Sequence, residues 1–288
     1  MGLRDFIERL VGSPLTPSGQ GGARVTGAPP SGNGASSFHL TWEAPPVPLL
    51  GAEVTIEVIE PPTVDQLYFW ALQVNFERGG SRVGGAHFGL QYHPAYPDAG
   101  AVNWGGYADA GGELDGSTSE LPSALGNVNT RTYRWEAGRR YRYRIGRAPV
   151  SEPATDTGPG SETESETGDG APANRWRGSI VDEVTGVETV VRDLFVDADT
   201  LSGPMVWSEI FAHCDHPTAA VRWSGLTVHT ADGRTVEVDT VRLNYQTNGD
   251  GGCANTNTSV DLGGPAPGFV QRSNTERTNP TGSRLRLR

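Results

Sequence analysis

Residues 67–93 of this chain read LYFWALQVNFERGGSRVGGAHFGLQYH, and this stretch decides the fold class. Large apolar side chains alternate with small or polar ones on both sides of a central glycine-rich segment. A two-residue period places successive side chains on opposite faces of an extended strand. The stretch therefore predicts two antiparallel strands joined by a turn within residues 77–85, each with one face in a hydrophobic core.

The same alternation recurs along the chain. Further strand candidates lie at residues 38–42, 52–60, 101–107, 132–135, 140–145, 174–180, 187–195, 204–212, 219–228, 235–245 and 284–287. Thirty-nine glycines and 21 prolines indicate many turns and few long helices. Ten or more strands without helical partners predict an all-β, antiparallel β-sandwich or jelly roll, which we place at residues 38–288.

Three segments depart from the strand pattern. Residues 1–11 carry apolar side chains at helical spacing, which predicts a short amphipathic helix that packs on its own domain or docks on a partner protein. Residues 12–37 are dense in glycine, proline and serine, as is typical of a flexible linker. Residues 151–173 contain six acidic side chains and no basic one, which predicts a disordered insert between two strands.

The formal net charge of −11 argues against general affinity for nucleic acid or anionic membranes, which require clustered positive charge. No apolar run approaches the length of a membrane span. Residues 1–11 also lack the apolar core of a secretory signal, which favours a cytoplasmic protein. A disulfide between Cys214 and Cys253 would instead indicate an oxidising compartment, and two free thiols are the alternative.

Neutral hydrogen-bonding side chains occupy the hairpin face opposite the apolar one, and they are Gln73, Asn75, His87 and Gln91. Pairing about the middle of the glycine segment places Asn75 beside His87, and Gly89 opposite Gln73. Such groups suit a sugar or a peptide better than a metal or a phosphate, so this face is a candidate ligand site. The alternative is an ordinary solvent-facing sheet surface. Aromatic, acidic and basic candidates for the same site are Tyr107, Trp207, Glu209 and Arg142.

Arg142 belongs to a second predicted hairpin, residues 132–145, in which four arginines share one face. If this arginine face joins the polar one, it favours an anionic ligand such as an acidic sugar. The alternative is pairing with acids on neighbouring strands, for which Glu188 and Asp193 are candidates.

Patterns of catalytic or metal sites are weak. Residues 213–216 read HCDH, but neighbouring side chains of an extended chain point apart, so we expect no transition-metal site. We expect no cofactor, although loop aspartates leave calcium as an alternative. A glycosidase needs two facing carboxylates, whereas Asp182 and Glu183 are adjacent and Glu209 has no partner on its strand. The sequence therefore does not indicate an enzyme.

Five short segments, residues 69–74 (FWALQV), 87–91 (HFGLQ), 141–145 (YRYRI), 176–182 (WRGSIVD) and 206–209 (VWSE), occur in this order. Together they resemble bacterial jelly-roll domains of unknown function with a concanavalin-like β-sandwich. Residues 221–224 (VRWS) and 252–256 (GCANT) are similar to uncharacterised secreted proteins of actinobacteria. The resemblance implies a lectin-like sandwich and a secreted or surface-displayed protein, and it supplies no catalytic residues.

These observations predict non-catalytic binding of a carbohydrate or similar polar ligand on the concave sheet face. The alternative is a structural or assembly protein, displayed on a larger particle through the helix of residues 1–11. The resemblance favours a secreted location and the N-terminal sequence a cytoplasmic one, so both remain open.

Overall fold

A computed structural model describes residues 24–29, 34–149 and 174–288. Within these ranges the chain is all-β, and the prediction of an antiparallel β-sandwich is confirmed. The predicted helix of residues 1–11 and the predicted disordered insert of residues 151–173 lie outside the described residues. The strands are β1 (Ser36–Trp42), β2 (Leu49–Glu60), β3 (Tyr68–Arg78), β4 (Ser81–Tyr92), β5 (Gly100–Ala108), β6 (Thr130–Thr132), β7 (Arg140–Arg147), β8 (Arg175–Asp182), β9 (Glu188–Phe195), β10 (Thr200–Ile210), β11 (Ala220–Thr230), β12 (Thr235–Glu237), β13 (Thr240–Tyr245), β14 (Asn257–Asp261), β15 (Gly268–Arg272) and β16 (Arg284–Arg286).

The strands form two antiparallel sheets. Sheet I has the order β16-β13-β1-β10-β3-β4-β5-β6, and sheet II has the order β14-β15-β11-β2-β7-β8-β9, with β12 beside β11. The sheets join at one corner, where Leu201 of β10 pairs with Leu49 of β2. A disulfide between Cys214 and Cys253, with Cα atoms 5.5 Å apart, connects the loops that follow β10 and precede β14.

The central hairpin of β3 and β4 turns on two residues, Gly79 and Gly80, which both have positive φ angles. A bulge after Phe76 adds one residue to the pairing. Gln73 therefore pairs with His87, so the sequence-based register, which placed Asn75 beside His87, is wrong by two residues. The error arose because the turn was centred in the long glycine segment, whereas glycine's tolerance of positive φ locates it at the first glycine pair.

The predicted arginine hairpin of residues 132–145 is also wrong, because its two strands belong to different sheets. Thr130–Thr132 pairs with β5 in sheet I, whereas Arg140–Arg147 pairs with β2 and β8 in sheet II. The sequence alternates in both predicted segments, and that pattern carries no information about the pairing partner.

The core lies between the sheets and is rich in aromatic rings. Phe76 of sheet I contacts Trp176 of sheet II with ring centroids 5.5 Å apart, and Phe88 meets Tyr143 edge to face at 5.2 Å. Gln271 of sheet II also crosses the core. It donates to the carbonyl oxygen of Phe38 at 2.8 Å and accepts from the Ser208 hydroxyl at 2.8 Å.

The hydroxyl of Tyr143 extends from sheet II into the hairpin of sheet I. It accepts a hydrogen bond from the Leu90 amide at 2.7 Å and donates to the carbonyl oxygen of Trp70 at 3.2 Å. Trp70 and Leu90 are direct partners across β3 and β4, so the hydroxyl bridges two groups of one ladder position. Beside it, a Cβ atom built on Gly89 would lie 1.9 Å from the same Trp70 oxygen, which explains why this position is glycine.

Replacing Tyr143 by phenylalanine tests this bridge. We expect Tyr143→Phe to lower the free energy of unfolding by about 1–3 kcal/mol, because two buried backbone groups lose their partner. Urea unfolding followed by tryptophan fluorescence measures the change. Tyr133→Phe, at a tyrosine that packs on the edge of the same core, is the control and should stay within about 0.5 kcal/mol of the parent protein. Equal stability of Tyr143→Phe and the parent would contradict the role of the hydroxyl.

Replacing Gly89 by alanine tests the close backbone approach. We expect Gly89→Ala to cost about 1–3 kcal/mol of unfolding free energy, because the strand must move to admit the methyl group. Gly146→Ala is the matched control in another strand, since its Cβ would meet no atom nearer than the Leu50 oxygen at 3.6 Å. Thermal denaturation of both variants gives the comparison, and a loss no larger for Gly89→Ala than for Gly146→Ala would refute the constraint.

Candidate functional site

The face of sheet I that points away from the core carries a cluster of buried polar and aromatic side chains, which we call the polar face. Its members come from β1, β3, β4, β5 and β10, which the pairing registers bring side by side. All are less than one-tenth exposed: Ser37, His39, Phe69, Ala71, Gln73, His87, Gln91, Asn103, Trp207 and Glu209. Sheet I thus buries both of its faces, one in the apolar core and one in this cluster.

Three rings form the centre of the polar face. The rings of Phe69 and Trp207 meet edge to face at 4.9 Å, and the His87 ring lies 5.4 Å from Phe69 and 5.9 Å from Trp207. Ala71 and Gly89, which pair across β3 and β4, lie between the residues that carry these rings. The small side chains at these two positions leave room for the rings to meet.

The side-chain amide of Gln73 has a defined orientation. The Trp207 indole nitrogen donates to Oε1 of Gln73 at 3.0 Å. An indole N–H can only donate, so this contact assigns the oxygen and leaves Nε2 as the donor end of the amide. Nε2 is buried and has no hydrogen-bond partner among the described residues.

A carboxylate and a carboxamide flank Phe69 at one level of the polar face. Glu209 of β10 and Gln91 of β4 each pair with Phe69, from opposite sides. Their Cα atoms are thus separated by two strand spacings, about 10 Å, and their side chains lie on the same face. Oε1 of Gln91 accepts from the Tyr96 hydroxyl at 2.9 Å. We call this set the Glu209–Phe69–Gln91 row.

Ser37 extends the row on the other side of Glu209, with which it pairs across β1 and β10. The Ser37 hydroxyl is buried and has no hydrogen-bond partner in the described part of the chain. Glu209 therefore does not accept a hydrogen bond from this hydroxyl.

Two histidines of the polar face have strongly shifted pKa values. Burial lowers the pKa of His39 to about 4, and a backbone hydrogen bond with Asn244 opposes only part of this effect. Burial likewise lowers the pKa of His87 to about 4, against the opposing effect of a hydrogen bond with Asn103. Both rings are therefore neutral at neutral pH, and both lie beside Trp207.

Stability should consequently depend on pH between about 4 and 6.5. The unfolded histidines bind more protons than the folded ones in this window, so the unfolding free energy falls as the pH falls, by about 3 kcal/mol per histidine. We expect His87→Gln to remove roughly half of the change that the two histidines cause between pH 7 and pH 4. Denaturant unfolding at several pH values measures it. His213→Gln, at an exposed histidine, is the control, and an identical pH dependence in His87→Gln would disprove the assignment.

The other predicted site residues are divided between two surfaces. Asn75 and Tyr107 both pair with Gly85 and lie half-buried at one end of the polar face, where Nε of Arg82 donates to Oδ1 of Asn75 at 3.2 Å. Burial and the charge of Glu113 raise the pKa of Tyr107. The structure therefore brings seven of the eight predicted residues to one face: Gln73, Asn75, His87, Gln91, Tyr107, Trp207 and Glu209.

Arg142 does not join this face, so its predicted place in the site is wrong. It lies on the outer surface of sheet II, where it donates to Glu183 at 2.9 Å and approaches Glu53 at 3.7 Å. Neighbouring arginines pair in the same way, as Arg144 does with Glu188 at 3.2 Å and Arg177 with Asp193 at 2.8 Å. The arginine face is thus a network of cross-strand ion pairs, and a core separates it from Gln73 and its neighbours.

Metal-binding groups are lacking within the described ranges, where no three His, Cys, Asp or Glu side chains are placed to hold an ion. In the HCDH segment, Cys214 is bound in the disulfide and the His213 and His216 rings stack at 4.5 Å. In the same ranges, no helix has the length and hydropathy needed to cross a membrane.

Comparison with known proteins gives similarity in structure only. No protein-family model and no curated protein sequence matches the chain. Among solved structures, scytalido-glutamic peptidase with a peptide-based transition-state analogue is similar over 84% of this chain and 98% of its own, with 9% identity and a TM-score of 0.43. SCP-B, a member of the eqolisin family of peptidases in complex with the tripeptide Ala-Ile-His, is similar over the same shares, with 10% identity and a TM-score of 0.38.

The prediction of carbohydrate binding is wrong. The similar solved structures are peptidases and not carbohydrate-binding domains. The alternative of an assembly protein depends on residues 1–11, which lie outside the described residues.

Proposed function

We propose that this protein hydrolyses peptide bonds, with the Glu209–Phe69–Gln91 row as its site. The observation that carries the proposal is the position of two buried side chains. The carboxylate of Glu209 and the carboxamide of Gln91 both pair with Phe69, from opposite sides, and lie on the same face of the sheet. At TM-scores below 0.5 the structural similarity carries no argument about the reaction. The proposal is supported by the side chains of the row, which offer a carboxylate as a base and a carboxamide as a hydrogen-bond donor.

An extended peptide fits the dimensions of the polar face. Side chains on one face of a strand recur every two residues, at about 7 Å, which is also the repeat of an extended peptide. A substrate lying along β3 would place one of its peptide bonds over Phe69, between Glu209 and Gln91. Its flanking residues would lie against the neighbouring side chains of the same face.

In the proposed reaction, Glu209 acts as a general base. Its carboxylate takes a proton from a water molecule, whose oxygen forms a bond to the carbonyl carbon of the substrate. An N–H of Gln91 stabilises the negative charge that develops on the carbonyl oxygen. The carbon–nitrogen bond then breaks, and Glu209 returns the proton to the leaving nitrogen. Atoms and charges balance without a further cofactor.

A water molecule is the proposed nucleophile because, among the described residues, no side chain near the Glu209–Phe69–Gln91 row is activated to attack the substrate carbonyl. Ser37 pairs with Glu209 across β1 and β10, and its hydroxyl does not hydrogen bond to Glu209. Ser208 donates to Gln271 in the core, and both cysteines are joined in the disulfide. None of these side chains is an activated nucleophile.

Glu209→Gln tests the proposed base with a nearly isosteric change. We expect the rate of peptide cleavage to fall by about 100-fold or more, because general-base catalysis contributes about 10²–10⁴. The assay incubates the protein with a mixed peptide library at pH 3–8 and identifies new termini by mass spectrometry. Glu183→Gln is the matched control, because Glu183 is partly buried on the outer surface of sheet II.

Three outcomes would overturn the proposal. One is the absence of cleavage by the parent protein at every pH, and another is equal rates for Glu209→Gln and the parent. The third is loss of activity in Ser37→Ala, which would identify a serine nucleophile in place of water. Circular dichroism of each variant separates lost activity from lost folding.

A further inference from the structure

Two directly paired residues of the polar face present polar atoms without partners. Gln73 and His87 face each other across β3 and β4. Nε2 of Gln73 and Nδ1 of His87 are both buried and both lack a hydrogen-bond partner among the described residues. A buried polar atom without a partner costs about 1–3 kcal/mol, so two of them at one pair of positions call for a physical explanation.

The two atoms offer complementary hydrogen bonding. The contact from Trp207 to Oε1 directs the donor end of the Gln73 amide away from the indole. The neutral His87 ring has one N–H and one lone pair, so Nδ1 accepts a hydrogen bond when the N–H is on Nε2. A donor beside an acceptor matches an amide group, whose carbonyl oxygen accepts and whose N–H donates. An anion or a cation would use only one of the two atoms.

We propose that Gln73 and His87 together bind an amide group of the substrate peptide, at a distance from the bond that is cleaved. The donor of Gln73 binds the carbonyl oxygen, and Nδ1 of His87 accepts from the N–H. This inference rests on the proposed function, because it assigns a recognition role on the same face. It makes the substrate an extended peptide of several residues and excludes a dipeptide as the preferred substrate.

The pairing register gives the distance along the strand between the Glu209–Phe69–Gln91 row and the Gln73–His87 pair. Gln73 is four residues beyond Phe69 on β3, and His87 is four residues before Gln91 on β4. Four residues of extended chain span about 13 Å. A peptide that runs along β3 with its reacting bond over Phe69 therefore brings the amide four residues away over the backbone position of Gln73. The His87 ring extends from there toward Phe69, with 5.4 Å between the ring centroids.

A length series of peptides tests the inference on the whole chain. The peptides share one cleaved sequence and are extended by one residue at a time in both directions. We expect kcat/KM to rise by about tenfold or more at the fourth added residue on one side, the usual worth of a good hydrogen-bond pair. Methylating that amide nitrogen should remove the gain. If kcat/KM rises only when the fourth added residue is Asn or Gln, the bound amide belongs to that side chain and not to the peptide backbone.

In the Gln73→Met variant, the ratio of kcat/KM between the long and the short peptides should lose the gain seen at the fourth residue. Gln66→Met, the same replacement at a half-buried loop position, is the matched control and should behave as the parent. His87→Phe should reproduce the loss seen in Gln73→Met. A uniform loss at every length would indicate a folding role and would refute the inference.

A binding measurement separates this inference from the proposed function. Calorimetry with Glu209→Gln protein and the same peptides reports affinity without cleavage. Tighter binding at the fourth residue that disappears on adding Gln73→Met supports recognition even if hydrolysis is not found. Cleavage of short and long peptides at equal rates, or binding that does not depend on Gln73, overturns the inference and leaves the hydrolysis proposal intact. Failure of every peptide to bind overturns it as well.

Discussion

The hydroxyl of Tyr143 is the contact on which the geometry of sheet I depends. It reaches from sheet II into the β3–β4 ladder and bridges the Leu90 amide and the Trp70 carbonyl. Burial raises the pKa of Tyr143 well above its ordinary value, so the hydroxyl keeps its proton and donates. Because these two bonds join sheet II to one paired position of sheet I, they tie the relative position of the two sheets to the register of the central hairpin.

That register determines which side chains meet on the polar face. Gly89, adjacent to Leu90, must be glycine because a Cβ atom would lie only 1.9 Å from the Trp70 oxygen. With Ala71 opposite, this leaves a pair of small residues under the rings of Phe69, His87 and Trp207. The rings in turn connect the Glu209–Phe69–Gln91 row with the Gln73–His87 pair, because Phe69 belongs to the row, His87 belongs to the pair and their rings are in contact. The same structural constraint therefore shapes both proposed parts of the site.

The two sheets differ in the surface that points away from the core: sheet I has buried polar side chains there, whereas sheet II has ion pairs. The outer surface of sheet II is covered by cross-strand ion pairs, which are individually weak when they are exposed to water. One member, Asp193, is buried. Its pKa would be raised by burial, but the hydrogen bonds and charges of Arg177 and Arg175 lower it overall, so it stays ionised. The polar face of sheet I lacks such arginine pairing at Gln73 and His87 and leaves their polar atoms free to bind.

The amino-acid sequence by itself determined the all-β class, most strand positions and which side chains share a face. A two-residue alternation is a local property, and burial of one face imposes it on every strand. Seven of the eight candidate site residues were placed on one face in this way, because they lie on strands whose other face is apolar. The pairing of β7 with β2 and not with residues 132–135 was decided only by the tertiary structure. The tertiary structure also decided the two-residue shift in the hairpin and the exclusion of Arg142 from the polar face. It likewise decided that Glu209 and Gln91 pair with the same residue, Phe69. Each depends on contacts between distant segments, and alternation is the same for every possible partner strand.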